Sequence, residues 1–419
     1  MRIGWATPFH SRSAIGRFSQ MVCEELVARG YDIDVIRIES DDELKIEPLP
    51  TACRVINAAE SDVDDYDLLI ANFGNHAPYH AALPNLVAKR APLAIFHDAE
   101  MRDFEWGMLQ THGIAIPLAP GLREEQLVYD EEDIVEPLAR PLLGTLAAIS
   151  CGAVIHGPHY RGTITAYCAG PVHFIPLCYP DTRPARPPSQ PLPGRRVAIF
   201  GVISEYKQPR RVMQAIAAAQ RHTGEVELHL AGTIEEQYRE KLLTEAAALG
   251  LAPPVFHGYL SDEALQDVLE QAHAICCLRY PVTEGGSASL ITALYCRRPL
   301  IICDVASYSL VPDKLAYKVS YGTNVADLAS AIVRIFEFPV EAEERATEAR
   351  KWAVNRFSAT SYCDALEPFL LSMEPHATLA RLASRFVPAI STPAGESMST
   401  ALIAAAEVLD WMHASQKRV

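Results

Sequence analysis

The chain has no apolar run approaching the ~20 residues that a membrane-spanning helix requires, so no such helix is expected. None of its ten cysteines forms a C-x-x-C pair, and no spacing in the sequence suggests a structural zinc site or any other metal site. Positive charge is also scarce: 37 basic residues stand against 52 acidic ones, for a net charge of −15. Nucleic-acid binding needs a basic face and is disfavoured by that balance. Tight binding to anionic lipid is disfavoured too, although a local basic patch leaves room for peripheral membrane contact. The first residues, Met1-Arg2-Ile3-Gly4-Trp5, enter a strand pattern at once and carry no signal-peptide core. With Cys276, Cys277 and Cys303 inside apolar runs, buried reduced thiols and a cytoplasmic location are expected.

What is present is a folded-protein composition, 49% hydrophobic and 21% charged, over 419 residues. That length exceeds one ordinary core and implies two domains. Apolar runs of strand length recur at Arg2–Ala6, Ile33–Ile38, Leu68–Asn72, Leu93–His97, Leu146–Ile149 and Val172–Ile175. Helical patterns separate them, the first from Gly16 to Arg29 and closed by Gly30. Continuous rather than alternating apolar strands interleaved with helices imply a parallel sheet covered on both faces. A proline-rich connector at 181–194 cannot join a sheet. The alternation then restarts with strands at Arg196–Phe200, Leu228–Ala231, Val255–His257, Ala274–Leu278 and Leu300–Cys303. Helices fall between them at Pro209–Arg221, Glu235–Leu249 and Asp262–Ala272, the last with Ser261 as N-cap. The reading is α/β: two Rossmann-like doubly wound parallel-sheet domains facing across a cleft, residues 1–180 and 195–372. A helical extension at 373–419 ends in a helix from Ser397 to Ala414.

Ligands of such folds bind at the carboxyl ends of the strands. Two segments there carry chemistry. Thr283-Glu284-Gly285-Gly286-Ser287-Ala288-Ser289 is a glycine-rich loop between a strand and a buried helix, the arrangement that aims backbone N–H groups at an anion. A carboxylate at Glu284, on its rim, suits hydroxyls. Phe200-Gly201-Val202-Ile203-Ser204-Glu205-Tyr206-Lys207 is a strand end, a glycine turn and a lysine poised before a helix. A phosphate and a polyol held together suggest a nucleotide sugar.

Those segments, together with His257-Gly258-Tyr259-Leu260-Ser261, occur in the order and spacing of family 4 glycosyltransferases, which the chain resembles over residues 1–370. Ser13-Ala14-Ile15-Gly16 looks like the family's first glycine loop. Asn72-Phe73-Gly74-Asn75 with His80, then His97-Asp98, resembles a "G-N…H…H-D" pattern of a subgroup that builds polysaccharides. The resemblance implies a B-type, retaining, metal-independent glycosyltransferase with no cofactor, using a UDP or GDP sugar and a carbohydrate or lipid-linked acceptor. It implies catalytic roles for His97, Lys207 and Glu284. Donor binding would fall to Gly16, Gly201, Ser204, Lys207, Gly258, Tyr259 and the loop Glu284, Gly285, Gly286, Ser287, Ala288 and Ser289. Asn75, His80 and Asp98 would lie on the acceptor side. Two positions depart from the pattern. Thr292 stands where the family has a second Glu that holds the ribose, and Val202 stands where it often has Arg, leaving Arg210 or Arg279 as substitutes.

Plainer readings stand beside these. His97-Asp98 also reads as a strand-end cap, and Asn75, His76 and His80 as an ordinary polar loop. Asp32-Ile33-Asp34, a mimic of a metal-binding D-x-D, reads as a solvated strand edge. The acidic run 124–133 reads as a solvated face. The pairs Arg195-Arg196, Arg210-Arg211 and Arg297-Arg298 read as surface charge, with contact to a lipid diphosphate as a lesser alternative. A nucleotide-sugar-binding scaffold or inactive homologue, and an epimerase on the same scaffold, are the competing functions.

Overall fold

The computed structural model describes residues 1–112, 141–181, 194–373 and 375–379. The front lobe runs β1 (Arg2–Thr7), α1 (Ala14–Ala28), β2 (Asp32–Arg37), β3 (Arg54–Asn57), β4 (Leu68–Phe73), α2 (Leu83–Lys89) and β5 (Leu93–Phe96). It continues with α3 (Arg102–His112), α4 (Pro141–Ala148), β6 (Gly152–Ile155), α5 (Arg161–Tyr167) and β7 (Val172–Phe174). The rear lobe runs β8 (Arg196–Phe200), α6 (Pro209–Thr223), β9 (Glu227–Ala231), α7 (Glu236–Ala248), β10 (Val255–Gly258) and α8 (Asp262–Glu270). Then come β11 (Ala274–Cys277), α9 (Ala288–Tyr295), β12 (Leu300–Cys303), β13 (Tyr317–Val319), α10 (Ala326–Glu337), α11 (Pro339–Arg356) and α12 (Ala359–Ser372).

The front sheet is seven-stranded, ordered β3-β2-β1-β4-β5-β6-β7, and the rear sheet six-stranded, ordered β10-β9-β8-β11-β12-β13. Every pairing is parallel. In each sheet the strand order reverses beside the first strand of the lobe, β1 or β8. Such a reversal opens a crevice at the strands' carboxyl ends, and the two crevices face each other.

Local sequence accounts for the helix ends. Ser13 caps α1 by accepting from the Gly16 amide at 3.1 Å, and Ser261 caps α8 by accepting from Ala264 at 3.3 Å. The run Leu146–Ile149, expected as a strand, is instead the end of α4 and the turn after it. Leu143, Leu146 and Ala147 are buried at helical spacing, and the strand follows one turn later as β6. The short edge strands β3 and β13 carry too little apolar pattern to be read from sequence. The connector, apart from its ends, the acidic run and the final helix from Ser397 lie outside the described residues.

One buried core reaches from Ile3, Trp5 and Phe18 under α1, through Tyr362, Cys363 and Leu366 of α12, to Ile275 and Leu290 of the rear lobe. Helix α12, read from sequence as part of the rear domain, thus packs on α1 of the front lobe. Phe18 meets Tyr362 edge-to-face at 5.1 Å, and Arg29 pairs with Asp364 at 2.7 Å and Glu367 at 3.2 Å. The arginines expected at the surface divide: Arg211 and Arg298 are buried. Each answers a carboxylate, Asp327 for Arg211 and Glu343 for Arg298. Asp34 of the D-x-D is also buried, held by Arg2 and Tyr66 at 3.1 Å each, which makes it an internal ion pair rather than a solvated edge.

Candidate active site

Two adjoining cavities lie between the lobes. One, of about 230 Å³, is lined by Ala14, Arg17 and Tyr179 from the front and by Gly201, Asp262, Leu265, Ala288, Ser289 and Thr292 from the rear. The other, of about 390 Å³, is lined by His76, His80, His97, Asp98, Glu100 and Arg102 from the front, with Tyr206, Arg279 and Gly286 opposite. Ala14, Tyr179 and Ala288 border both, so the two form one cleft with a waist.

The rear wall is cationic. Lys207 ends a 3-10 turn at Glu205–Lys207, and its ammonium folds back over Gly201. The next residue, Gln208, adopts the left-handed conformation at φ 54°. Its side chain donates to the Gly322 carbonyl at 2.8 Å, which anchors that conformation. No hydrogen bond or ion pair joins the Lys207 ammonium to any described residue. Burial, then the nearby Arg279 guanidinium, pushes its pKa down, with Glu284 opposing. A buried cation beside a second cation is a ready site for an anion.

Glu284 does not stand open on the loop rim. Arg279 grips its carboxylate through Nε at 2.7 Å and through Nη2, and the Tyr308 hydroxyl donates to it at 2.6 Å. Burial alone would raise this carboxyl, but Arg279 outweighs it and holds the group below the usual range. The same Tyr308 hydroxyl lies 3.0 Å from Ser287 Oγ, and Ser287 caps α9 by accepting from the Leu290 amide at 3.3 Å. Carboxylate, tyrosine and helix cap therefore form one unit. Arg279 sits beside Lys207 as expected of a substitute cation. Arg210 does not: it pairs with Glu245 on α7.

The glycine loop is also where the lobes touch. Gly285 N donates to the His97 carbonyl, and Ala99 N donates to the Thr283 carbonyl, both at 2.8 Å. These bonds make a one-rung antiparallel bridge between Asp98 and Glu284. His159 Nε2 adds a contact to the Glu284 carbonyl at 3.2 Å. A Cβ on Gly285 would lie 2.3 Å from the Tyr160 hydroxyl, so this glycine is required by the approach of the front lobe. Gly16 has a similar reason, since a Cβ there would lie 2.8 Å from the Pro8 carbonyl. It is buried beneath the first loop, and Ser13, Ala14 and Ile15 face the cleft in its place.

The front wall is built from neutral imidazoles and carboxylates. Burial pushes His80 and His156 down to about 4. It also pushes His97 well below its ordinary value, aided by the neighbouring His156 and His80. Asp98 behaves oppositely: burial raises it to about 7, against a hydrogen bond from the Asn75 amide at 2.8 Å. Asn75 Oδ1 accepts from Phe104 N at 2.9 Å and so fixes the start of α3. Across the waist Arg17 pairs with Asp262 of α8.

The structure therefore brings His97, Asn75, His80, Asp98, Gly201, Gly286, Ala288, Ser289 and Thr292 to the lining of one cleft, with Lys207 buried against Gly201 and Glu284 against Arg279 just behind it. Ser204, Gly258 and Tyr259 stand near it but do not line either cavity, and Tyr259 is exposed. Sequence reasoning missed Tyr308, Tyr206 and Arg102, which no motif marks, and the partner of His97, which is Asn72.

Compared with known proteins, residues 185–352 match the family described as glycosyl transferases group 1. Three solved structures are similar across nearly the whole chain. HepE from Anabaena, in complex with UDP and glucose, is 13% identical with a TM-score of 0.60, covering 89% of this chain and 100% of its own. Sucrose-phosphate synthase from Thermosynechococcus elongatus is 16% identical with a TM-score of 0.62, covering 90% and 100%. WaaG, a glycosyltransferase involved in lipopolysaccharide biosynthesis, is 14% identical with a TM-score of 0.54, covering 86% and 96%. No curated protein matches the sequence significantly. The fold is thus that of the B-type glycosyltransferases, and the rear half of the chain resembles the glycosyl transferases group 1 family.

Proposed function

We propose that the protein is a retaining glycosyltransferase that moves a sugar from a nucleoside diphosphate to a carbohydrate or lipid-linked acceptor, in polysaccharide or glycoconjugate assembly. The observation that carries this reading is the Lys207 ammonium, buried beside Arg279 and joined by no hydrogen bond or ion pair to any described residue, in the loop that follows β8. Breaking a sugar–phosphate bond develops charge on the diphosphate, and fixed cations and amides aimed at that leaving group are the main catalytic lever. Lys207 and the amides of Gly286 to Ser289 would hold the diphosphate. The nucleoside would occupy the smaller cavity against Thr292, and the sugar would lie near Glu284 and His97 in the larger one. Asp98, Asn75 and His80 would border the acceptor. The leaving phosphate would take the acceptor's proton, as retention without a covalent enzyme intermediate requires. This reading involves no metal and no cofactor.

The test is a calorimetric titration with UDP, GDP and their sugars, with and without magnesium, followed by an assay for donor hydrolysis. Nucleotide binding with donor turnover supports the transferase. Binding without turnover supports the scaffold reading that Thr292 and Val202 motivate, and no binding at millimolar concentration would remove the nucleotide-sugar assignment.

A further inference from the structure

All ten cysteines of the chain lie within the described residues. Nine are buried, and Cys53, just before β3, is the one that solvent reaches. Its sulfur is within hydrogen-bond reach of the thiol of Cys23, which is wholly buried on α1. The pair belongs to the core that joins α1 to α12, with Cys23 inside it and Cys53 packed against its edge. Thr51 shapes the turn that presents Cys53. Its hydroxyl oxygen accepts from the Cys53 N–H at 3.2 Å, and its O–H is bonded to the Cys53 sulfur.

The two sulfurs differ in the way that a redox pair requires. Burial holds the Cys23 thiol well above its ordinary pKa, so it keeps its proton and donates it. The hydrogen bonds from Cys23 and then Thr51 favour a thiolate at Cys53 and pull its pKa down to about 7, against partial burial and the Glu24 and Asp34 carboxylates. The thiolate is the form that oxidants attack, and a second thiol within reach converts the first product to a disulfide. Cys363 of α12, the other thiol of this seam, is buried and directed at the Val22 carbonyl at 3.8 Å.

We propose that Cys53 and Cys23 form a reversible oxidation site for hydroperoxides, with Cys53 as the attacking sulfur and Cys23 as the resolving one. The Cys53 thiolate attacks a peroxide oxygen and the O–O bond breaks. Cys53 is oxidised to the sulfenic acid, and the peroxide is reduced, its other oxygen leaving as hydroxide or alkoxide. The Cys23 sulfur then attacks the Cys53 sulfur. An S–S bond forms, the S–O bond breaks, and the oxygen leaves as water with the Cys23 proton. A dithiol reductant restores both thiols. The bond would fix the middle of α1, whose first residues Ala14 and Ile15 line the larger cavity, to the start of the edge strand β3. This chemistry is independent of the transferase reading.

The test treats the full chain with hydrogen peroxide at neutral pH, alkylates it and maps its peptides by mass spectrometry without reduction. The expected map holds a linked Cys23–Cys53 peptide, lighter by two hydrogens, that dithiothreitol abolishes. Iodoacetamide should label Cys53 of the reduced chain at least about tenfold faster than any other cysteine. Cys23→Ala removes the resolving sulfur, so dimedone should trap a sulfenic acid at Cys53. Cys23 is buried, and if that variant does not fold, the wild-type map and the labelling rates still decide. Four results overturn the site: a Cys53 thiol that survives peroxide sufficient to oxidise the methionines, a disulfide from Cys53 to another cysteine or to a second chain, a wild-type Cys53 that takes dimedone and never links to Cys23, or labelling of Cys53 no faster than the rest. A folded Cys23→Ala chain without the dimedone adduct would overturn it as well.

Discussion

The two walls of the cleft solve opposite problems. The rear wall concentrates positive charge, with Lys207 and Arg279 against one internal carboxylate, Glu284. The front wall removes charge, with buried imidazoles at His80, His97 and His156 and an Asp98 whose proton is retained to about pH 7. An anion is gripped by fixed charge, whereas hydroxyls are selected by directional groups that stay neutral. On the proposed transferase reading, the rear lobe would hold the leaving group and the front lobe would border the acceptor, with the sugar between them.

The largest test of that division is Lys207→Ala. Loss of a cation from the leaving group should cost about 2–4 kcal/mol in kcat/KM, and a variant with unchanged turnover would remove the role. Next is Arg279→Met, which leaves Glu284 buried without its partner. Allowing for partial exposure of the pair, a stability loss of about 2 kcal/mol is expected by urea denaturation at neutral pH. Because the Glu284 pKa is lowered in the folded state, the pair stabilises above the ordinary carboxylate range. The gap between variant and wild type should therefore close as pH falls below 4.5, the unperturbed value.

Lys207→Met makes the opposite trade. The folded-state pKa of Lys207 is lowered, so its charged form is disfavoured by folding, and removing it should stabilise the protein by about 1 kcal/mol while transfer is lost. A drop in Tm would show that the ammonium has a stabilising partner after all. The smallest effect belongs to the front wall. The Asp98 pKa is raised to about 7, so stability from this group is complete at acid pH and is lost as pH rises through 7. Asp98→Asn should flatten that slope in a pH series of melting temperatures and remove any inflection near 7 in acceptor kcat/KM.

The same asymmetry governs what could be read from the sequence. The alternation of apolar runs and helices gave two parallel-sheet lobes, because strands buried on both faces leave a continuous apolar signature. Lys207 and the 284–289 loop were legible because phosphate chemistry needs glycine turns and cations at strand ends. Pairings between residues distant in sequence were harder in both walls. Tyr308 reaches Glu284 across 24 positions and Asn72 reaches His97 across 25, and neither pairing has a local pattern. The carboxylate of Glu284, expected to meet sugar hydroxyls, proved to be bound within its own lobe by Arg279 and Tyr308. Leu146 was misplaced into a strand because a short apolar run looks alike in either element.

Helix α12 gives the molecule its mechanical character. The polypeptide passes from front to rear at the connector and returns before Ala359, where Tyr362, Cys363 and Leu366 seat themselves under α1. The lobes are therefore clasped by two crossings rather than tethered by one. Proteolysis at the connector would yield two fragments that stay together through that buried seam, whereas excision of the returning helix would strip the cover from Phe18 and Val22 and expose an oily strip on the front half.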